Sequence, residues 1–349
     1  MSREVLSPPL QQMGPNRCYR VNLVHEDFGG NKTQQQATKE YVENDLYTQS
    51  DEDEDEQDFP IEELPDSTFK LECHVHSEFY GGIIGFKGNT KRRLESETQT
   101  EIIVPRQRNV GKQSNNLIIK GKSRSNILSA HRKIKAILIS LRKRMPKTHF
   151  VGVDLHKTEI REKFIDFRTQ ILEKSYPGID EHLFMPDNRL HLTLQTCVLL
   201  DETERTEAVK VLQNCSKYLE GITTPFDVKV TGLEIMNDDP SAVRVLYGTV
   251  DAPELQKFGD LCLAAFIKTD LSFKEFDRDN IKLHMTVMNS RYRKKIIENA
   301  PDTFDAREIL KQFGSFNFGT TKCNEISLCV MGTGSLENVF YKKTSTLNF

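Results

Sequence analysis

The sequence has no long hydrophobic run. Nowhere in its 349 residues does a stretch approach the roughly 18 consecutive apolar residues of a membrane-spanning helix. A mean hydropathy of -0.53 with 28% charged residues points away from a membrane protein. Residues 1–10 lack the basic and apolar segments of a secretory signal, so the seven cysteines are expected to be reduced thiols of the nucleus or cytosol, not a disulfide scaffold. Cys and His pairs do not recur at zinc-finger spacing. Cys73, His74 and His76 fall on a strand, adjacent strand residues point to opposite faces, and no second ligand pair follows, so neither metal nor cofactor is expected. No long-period repeat is present. Net charge is also nearly absent: 48 Lys and Arg stand against 51 Asp and Glu, a balance of -3, which alone gives no reason to expect a nucleic-acid partner.

The distribution of that charge changes the expectation. Residues 1–60 hold 5 basic and 13 acidic side chains, and residues 61–64 add two acids. Residues 65–147 hold 18 basic and 6 acidic, and residues 148–349 hold 25 and 30. The chain therefore reads as an acidic arm (1–64), a strongly basic domain (65–147) and a mildly acidic domain (148–349). Residues 51–58 contain seven acids and residues 32–37 are polar and Gln-rich, a composition that favours disorder. The arm is either a solvated tail, an acidic competitor for the basic domain, or a docking segment whose apolar islands (Val21, Leu23 and Val24; Tyr41, Leu46 and Tyr47) fold on a partner.

The basic domain opens on a strand in which Leu71, Cys73 and Val75 alternate with polar residues. The run Gly81-Gly82-Ile83-Ile84-Gly85-Phe86-Lys87-Gly88 follows, then a helix carrying Lys91, Arg92 and Arg93, a β-rich run over 100–104 halted by Pro105, a polar loop over 106–115, and a strand over 117–120. Ser123 is the expected N-cap of a last helix, with Ile127, Ile134, Leu138, Leu141 and Met145 at helical spacing. Glycines three apart permit a tight turn whose backbone amides, at a helix N-terminus, approach the phosphates of a single strand. This order and the Ile-Ile-Gly-x-x-Gly run resemble a type I KH domain. The resemblance implies single-stranded RNA as partner and Ile84, Gly85, Phe86, Lys87, Gly88, Lys91, Arg92 and Arg93 as RNA-binding residues. An aliphatic groove of Ile84, Ile102 and Val104 is expected to hold bases. Phe86 departs from the polar or basic residues usual at that loop position, and is suited either to stack on a base or to pack.

The last domain begins with a strand over 150–153 and a helix through Phe164, Phe167 and Ile171. Its main feature is a repeated motif: Arg189-Leu190-His191-Leu192-Thr193-Leu194 and Lys282-Leu283-His284-Met285-Thr286-Val287. One His-x-Thr triplet is uninformative, but two with matching flanks are not. On a strand, residues i and i+2 share a face, so each copy presents His and Thr together and buries its apolar neighbours. Two imidazoles near neutral pH can act as general base and general acid on a phosphodiester, with Thr193 and Thr286 steadying the non-bridging oxygens. The pair resembles the signature of the two-histidine (2H) phosphoesterases, which include 2'-5' RNA ligase-like enzymes and the central domain of an A-kinase anchor protein. That resemblance implies catalytic His191, Thr193, His284 and Thr286 and chemistry on 2'-5' linkages or 2',3'-cyclic phosphates of RNA without a metal. Which histidine is base and which acid stays open, as does a catalytically silent adaptor.

The expected fold is α+β: a type I KH domain, then a bilobal 2H phosphoesterase-like domain of antiparallel sheets with flanking helices, preceded by a disordered acidic arm. The whole arrangement resembles subunits of the helicase-containing activating signal cointegrator complex. What this implies is a nuclear protein acting in transcription coactivation, RNA handling and alkylation repair, with that complex and RNA as partners and no membrane. Three features are read with alternatives. Arg142, Lys143, Arg144 and Lys147 form either a nuclear localisation patch or a solvated helix end. Tyr247 and Tyr341 either pack or stack a base. Gly332-Thr333-Gly334 forms either a hairpin turn or a phosphate cradle.

Overall fold

The computed structural model describes residues 10–12, 18–20, 59–105, 116–269, 271–273, 279–332 and 340–349. The acidic run 51–58, the Gln-rich stretch 32–37, the apolar islands of the arm, the polar loop 106–115 and residues 333–334 lie outside them. The described residues fall into two compact units: those within 24–144 form one, and those within 1–23 and 145–349 the other. A short antiparallel ribbon, β1 (Leu10–Gln12) and β2 (Cys18–Arg20), sets Leu10 opposite Arg20 in the N-terminal stretch expected to be disordered.

In the unit that ends at Arg144, β3 (Glu62–Glu63), β4 (Phe69–His74), β5 (Thr100–Ile103) and β6 (Asn116–Gly121) form one antiparallel sheet in the order β3-β4-β6-β5. Helices α1 (Tyr80–Ile84), α2 (Asn89–Thr98) and α3 (Arg124–Arg144) pack on it. Strand parity puts Leu71, Ile102, Leu117 and Ile119 against Ile83, Leu94, Ile127 and Ile134, all buried. Ser123 caps α3 as the sequence expects, accepting the Asn126 N–H at 3.2 Å. Folding begins upstream of residue 65. Ile61 is buried, β3 adds an edge strand, and the Phe59 ring meets His131 edge-on at 4.9 Å.

Two expectations from the sequence differ from the structure in this unit. Ile102 is fully buried and faces the core, while its neighbour Ile103 is on the exposed face; a shift of one residue along a strand exchanges faces. Arg142 is 3% exposed with its guanidinium 4.8 Å over the ring of Phe79, in the turn that leads into α1, so it is packed between helical elements and does not belong to a surface patch.

The second unit contains an eight-stranded antiparallel sheet and five α-helices among the described residues. Its strands are β7 (His149–Asp154), β8 (His191–Cys197), β9 (Phe226–Ile235), β10 (Val245–Asp251), β11 (His284–Asn289), β12 (Asn317–Cys323), β13 (Glu325–Val330) and β14 (Lys343–Asn348). Its helices are α4 (Glu159–Glu173), α5 (Glu202–Asn214), α6 (Pro253–Lys268), α7 (Ser290–Ile296) and α8 (Arg307–Phe313). The strand order β12-β9-β10-β11-β8-β7-β13-β14 is two four-stranded halves, joined where Met285 pairs with Leu192. This is the bilobal arrangement expected from the repeated motif. Ile160, Phe164, Phe167 and Ile171 repeat at helical spacing, so α4 buries one apolar stripe, and Phe167 packs against Phe313, Phe316 and Phe318 at 5.2–5.8 Å. No helix among the described residues is long and apolar enough to cross a membrane.

Candidate functional site

β8 and β11 carry the two His-x-Thr motifs, and their burial patterns agree position by position. His191, Thr193, His284 and Thr286 are half-buried, while Leu192, Leu194, Met285 and Val287 are in the core. The Met285–Leu192 pair fixes the register between the strands. Continued one step in each direction, it sets Thr193 beside His284 and Thr286 beside His191, all four on one face. The ladders to the outer neighbours slip at matching points, between Val151 and Gly152 on β7 and between Leu246 and Tyr247 on β10. Leu194 and Val287 are thereby left as the extra residues of two equivalent bulges, which bend both strands just past the site.

Both imidazoles are oriented in the same way. Nδ1–H of His191 donates to the Arg189 carbonyl at 2.7 Å, and Nδ1–H of His284 donates to the Lys282 carbonyl at 2.7 Å. A carbonyl accepts only, so each ring keeps a proton on Nδ1 and reacts through Nε2. Tyr341 meets His191 edge-on at 5.3 Å, and Tyr247 meets His284 in the same manner at 5.4 Å. The Arg189 guanidinium covers Tyr341 at 5.4 Å and the Lys282 ammonium covers Tyr247 at 4.8 Å. The basic residue two before each histidine thus braces the tyrosine beside it. Tyr247 is 1% exposed and donates to Glu234 at 2.8 Å, so it packs as wall. Tyr341 is half-buried at the rim, with burial raising its phenol.

Burial pushes the His191 imidazole down to about 4; the Arg189 carbonyl and Asp154 oppose the fall and His284 adds to it. Tyr292, on α7, donates to Met185 Sδ at 3.1 Å, and its phenol is raised by burial with Tyr341 close by.

In the other unit, the Gly-x-x-Gly turn joins α1 to α2. Gly85 has φ 71 and ψ 177, a region essentially reserved for glycine, and Gly88 has φ 78. A Cβ on Gly85 would also run into Thr90. Between them the Phe86 ring is 79% exposed, with the Lys87 ammonium 5.3 Å from its centroid. Phe86 therefore does not pack into the core, and the open alternative is stacking. Ile84 stands exposed beside the loop. The expected cations divide by role. Arg92 ties the turn by donating to the Lys87 carbonyl at 2.5 Å, Lys91 pairs with Glu95 at 2.7 Å, and Arg93 reaches Glu97 at 3.9 Å. His76 caps the turn over Ser77–Phe79, accepting the Glu78 N–H at 3.3 Å, while His74 is exposed and Cys73 half-buried. Among the described residues, no three His, Cys, Asp or Glu side chains are grouped to hold a metal ion.

The sequence reading missed a polar network beside His191. Asp154 stands opposite His191 on β7, bonds His156 Nδ1 at 2.5 Å and faces Lys343, which bridges to Glu325 at 2.5 Å. A cavity of about 630 Å³ lined by Asp154, Lys157, Thr320, Lys322 and Glu325 opens next to it. Asp154 and His156 are two apart in sequence, but β14 arrives from the far end of the chain.

Comparison with known proteins agrees with this geometry. Residues 147–349 match the family described as the AKAP7 2'5' RNA ligase-like domain, and residues 70–136 match the KH domain family. Activating signal cointegrator 1 complex subunit 1 of Mus musculus is 32% identical over 334 residues, 88% of this chain and 92% of that protein. Among solved structures, TT0787 of Thermus thermophilus is 16% identical with a TM-score of 0.41, covering 58% of this chain and 97% of that one. E. coli LigT complexed with 3'-AMP is 17% identical with a TM-score of 0.40, covering 58% and 98%. With a family match over more than half its length and a relative of this extent, the chain belongs to the AKAP7 2'5' RNA ligase-like family and carries a KH domain ahead of that fold.

Proposed function

We propose that the chain is an RNA-binding phosphodiesterase acting on single-stranded RNA or RNA ends, with 2'-5' linkages or 2',3'-cyclic phosphates as the scissile groups. The observation that carries this reading is the duplicated histidine arrangement, with each Nδ1–H tied to the carbonyl two residues back and each Nε2 turned to one face. His191, held neutral by burial, is the base: its Nε2 takes a proton from water or a 2'-hydroxyl as that oxygen attacks phosphorus. His284 is the acid in its doubly protonated form: Nδ1–H stays on the Lys282 carbonyl while the Nε2 proton passes to the departing oxygen. Thr193 and Thr286 hydroxyls donate to the non-bridging oxygens, where charge grows in the transition state. The imidazoles supply both proton transfers, so the step itself requires no metal. The KH turn, with Phe86 and Lys87 at its tip, supplies the single-strand grip.

The mouse relative is named as a subunit of the activating signal cointegrator 1 complex, and the setting proposed for this chain is such a complex, with the nuclear location, helicase partner and part in alkylation repair that the resemblance in the sequence implies. Affinity capture of the tagged chain from nuclear extract, with the helicase retained, tests that setting.

The reaction is tested with full-length protein in EDTA and labelled single-stranded RNAs that end in a 3'-hydroxyl, end in a 2',3'-cyclic phosphate, or contain one 2'-5' linkage. Cleavage of at least one is expected. Tight binding with no cleavage of any would show an adaptor and overturn the enzymatic reading.

A further inference from the structure

The two halves of the histidine site differ in the residue opposite each ring. Thr249 on β10 pairs with His284, and Asp154 on β7 pairs with His191. Residues directly opposite in an antiparallel ladder share a face, with Cβ atoms about 4.5–5.5 Å apart. Thr249 is neutral and its hydroxyl donates to the Thr231 carbonyl. Asp154 is a carboxylate only 8% exposed, and buried charges need partners. It has them on both oxygens. Oδ1 accepts the His156 backbone N–H at 3.0 Å and the His156 ring nitrogen at 2.5 Å, and Oδ2 lies 3.7 Å from the Lys343 ammonium. His156 lies flat on Phe340 at 5.1 Å, so its ring is braced in turn. The groups facing this pair are His284, Arg189 and Tyr341 around His191, and Glu325 and Cys329 beside Lys343.

We propose that Asp154 is a positioning residue for the base: its carboxylate stabilises the imidazolium formed when His191 Nε2 takes the proton of the attacking hydroxyl, and His156 and Lys343 hold it in place. The proton moves from the hydroxyl oxygen to Nε2 and is not passed on to Asp154. The kinetic consequence rests on the phosphodiesterase reading; the electrostatic one does not.

The test is an NMR titration of the His191 ring in the full chain, assigned by comparison with His191→Gln. Asp154→Asn is expected to lower the His191 midpoint by about one unit, since an opposite charge at this range is lost. Asp154→Glu is expected to keep it near wild type. Lys343→Met removes the cation that competes for Asp154 and is expected to raise it, which serves if Asp154→Asn does not fold. An unchanged or raised midpoint in folded Asp154→Asn, or a lowered one in Lys343→Met, overturns the proposal. With a cleavable RNA, the acid limb of kcat/KM moves with the midpoint. A shifted midpoint with no cleavage of any RNA overturns the phosphodiesterase reading and leaves the assignment of Asp154 standing.

Discussion

An imidazole on a sheet has two nitrogens to place, and in His191 and His284 the carbonyl two residues upstream takes the first. Burial then makes His191 hard to protonate. Its value near 4 is below the ordinary 6.5, so between these the unfolded chain binds the extra proton and the folded chain does not. Stability is therefore complete above pH 6.5 and falls as pH falls toward 4. His149, also lowered by burial with Arg205 adding to it, acts in the same direction. Chemical denaturation at pH 7 and pH 4.5 is expected to show a loss to which His191 contributes at most about 3 kcal/mol, and His191→Gln should shrink the loss. Arg293 makes a different case at the same scale. It sits in the basic run Arg291-Tyr292-Arg293-Lys294-Lys295, yet its side chain is 5% exposed. It donates to the carbonyls of Gly178, Pro301 and Thr303 at 2.9–3.2 Å and lies 3.4 Å from Asp180. Arg293→Ala is expected to cost about 1–3 kcal/mol by leaving those carbonyls without a donor, measurable as a lowered Tm.

Elements are legible in the sequence where a period is strong. The repeated His-x-Thr motif announces two strands with matching faces, and Ser123 with its apolar stripe announces α3. The bulges at Leu194 and Val287 are not legible, because a bulge is a property of the ladder and not of one strand. Ile102 reads onto the wrong face because a four-residue strand, β5, offers little to fix its parity. Arg142 has a readable signal: it follows Leu138 by four on α3, which continues the buried stripe. Asp154 has none, since its importance comes from β8 lying beside β7 and from Lys343 on β14, which lies beyond β13. The Gly-x-x-Gly turn is legible as a motif and gives a clean variant. Phe86 and Lys87 project from the turn, so replacing both by Asp is expected to leave the fold intact and weaken single-strand RNA binding at least about tenfold, by loss of a stacking face and reversal of charge. Circular dichroism and fluorescence anisotropy together check this. Gly85→Ala, by contrast, strains the backbone and should lower Tm.

At the scale of the whole chain, the balance of -3 conceals a central segment with 18 basic and 6 acidic residues. Ion pairs such as Lys91–Glu95 and Lys133–Glu97 hold part of that charge on the protein's own surface. RNA affinity is therefore expected to fall with salt along a log–log slope well short of the excess of 12 positive charges, and a slope near zero would remove the electrostatic account of the grip. The central claim is that His191 and His284, drawn from distant parts of the chain, work as one catalytic unit. The most direct measurement is the single-turnover cleavage rate of His191→Asn, His284→Asn and the double variant, in EDTA, on an RNA that the wild-type chain cleaves. Each single variant is expected to fall to the level of the double, because removing either proton carrier disables the same step. Substantial cleavage by either single variant, or losses that simply multiply in the double, would contradict the account.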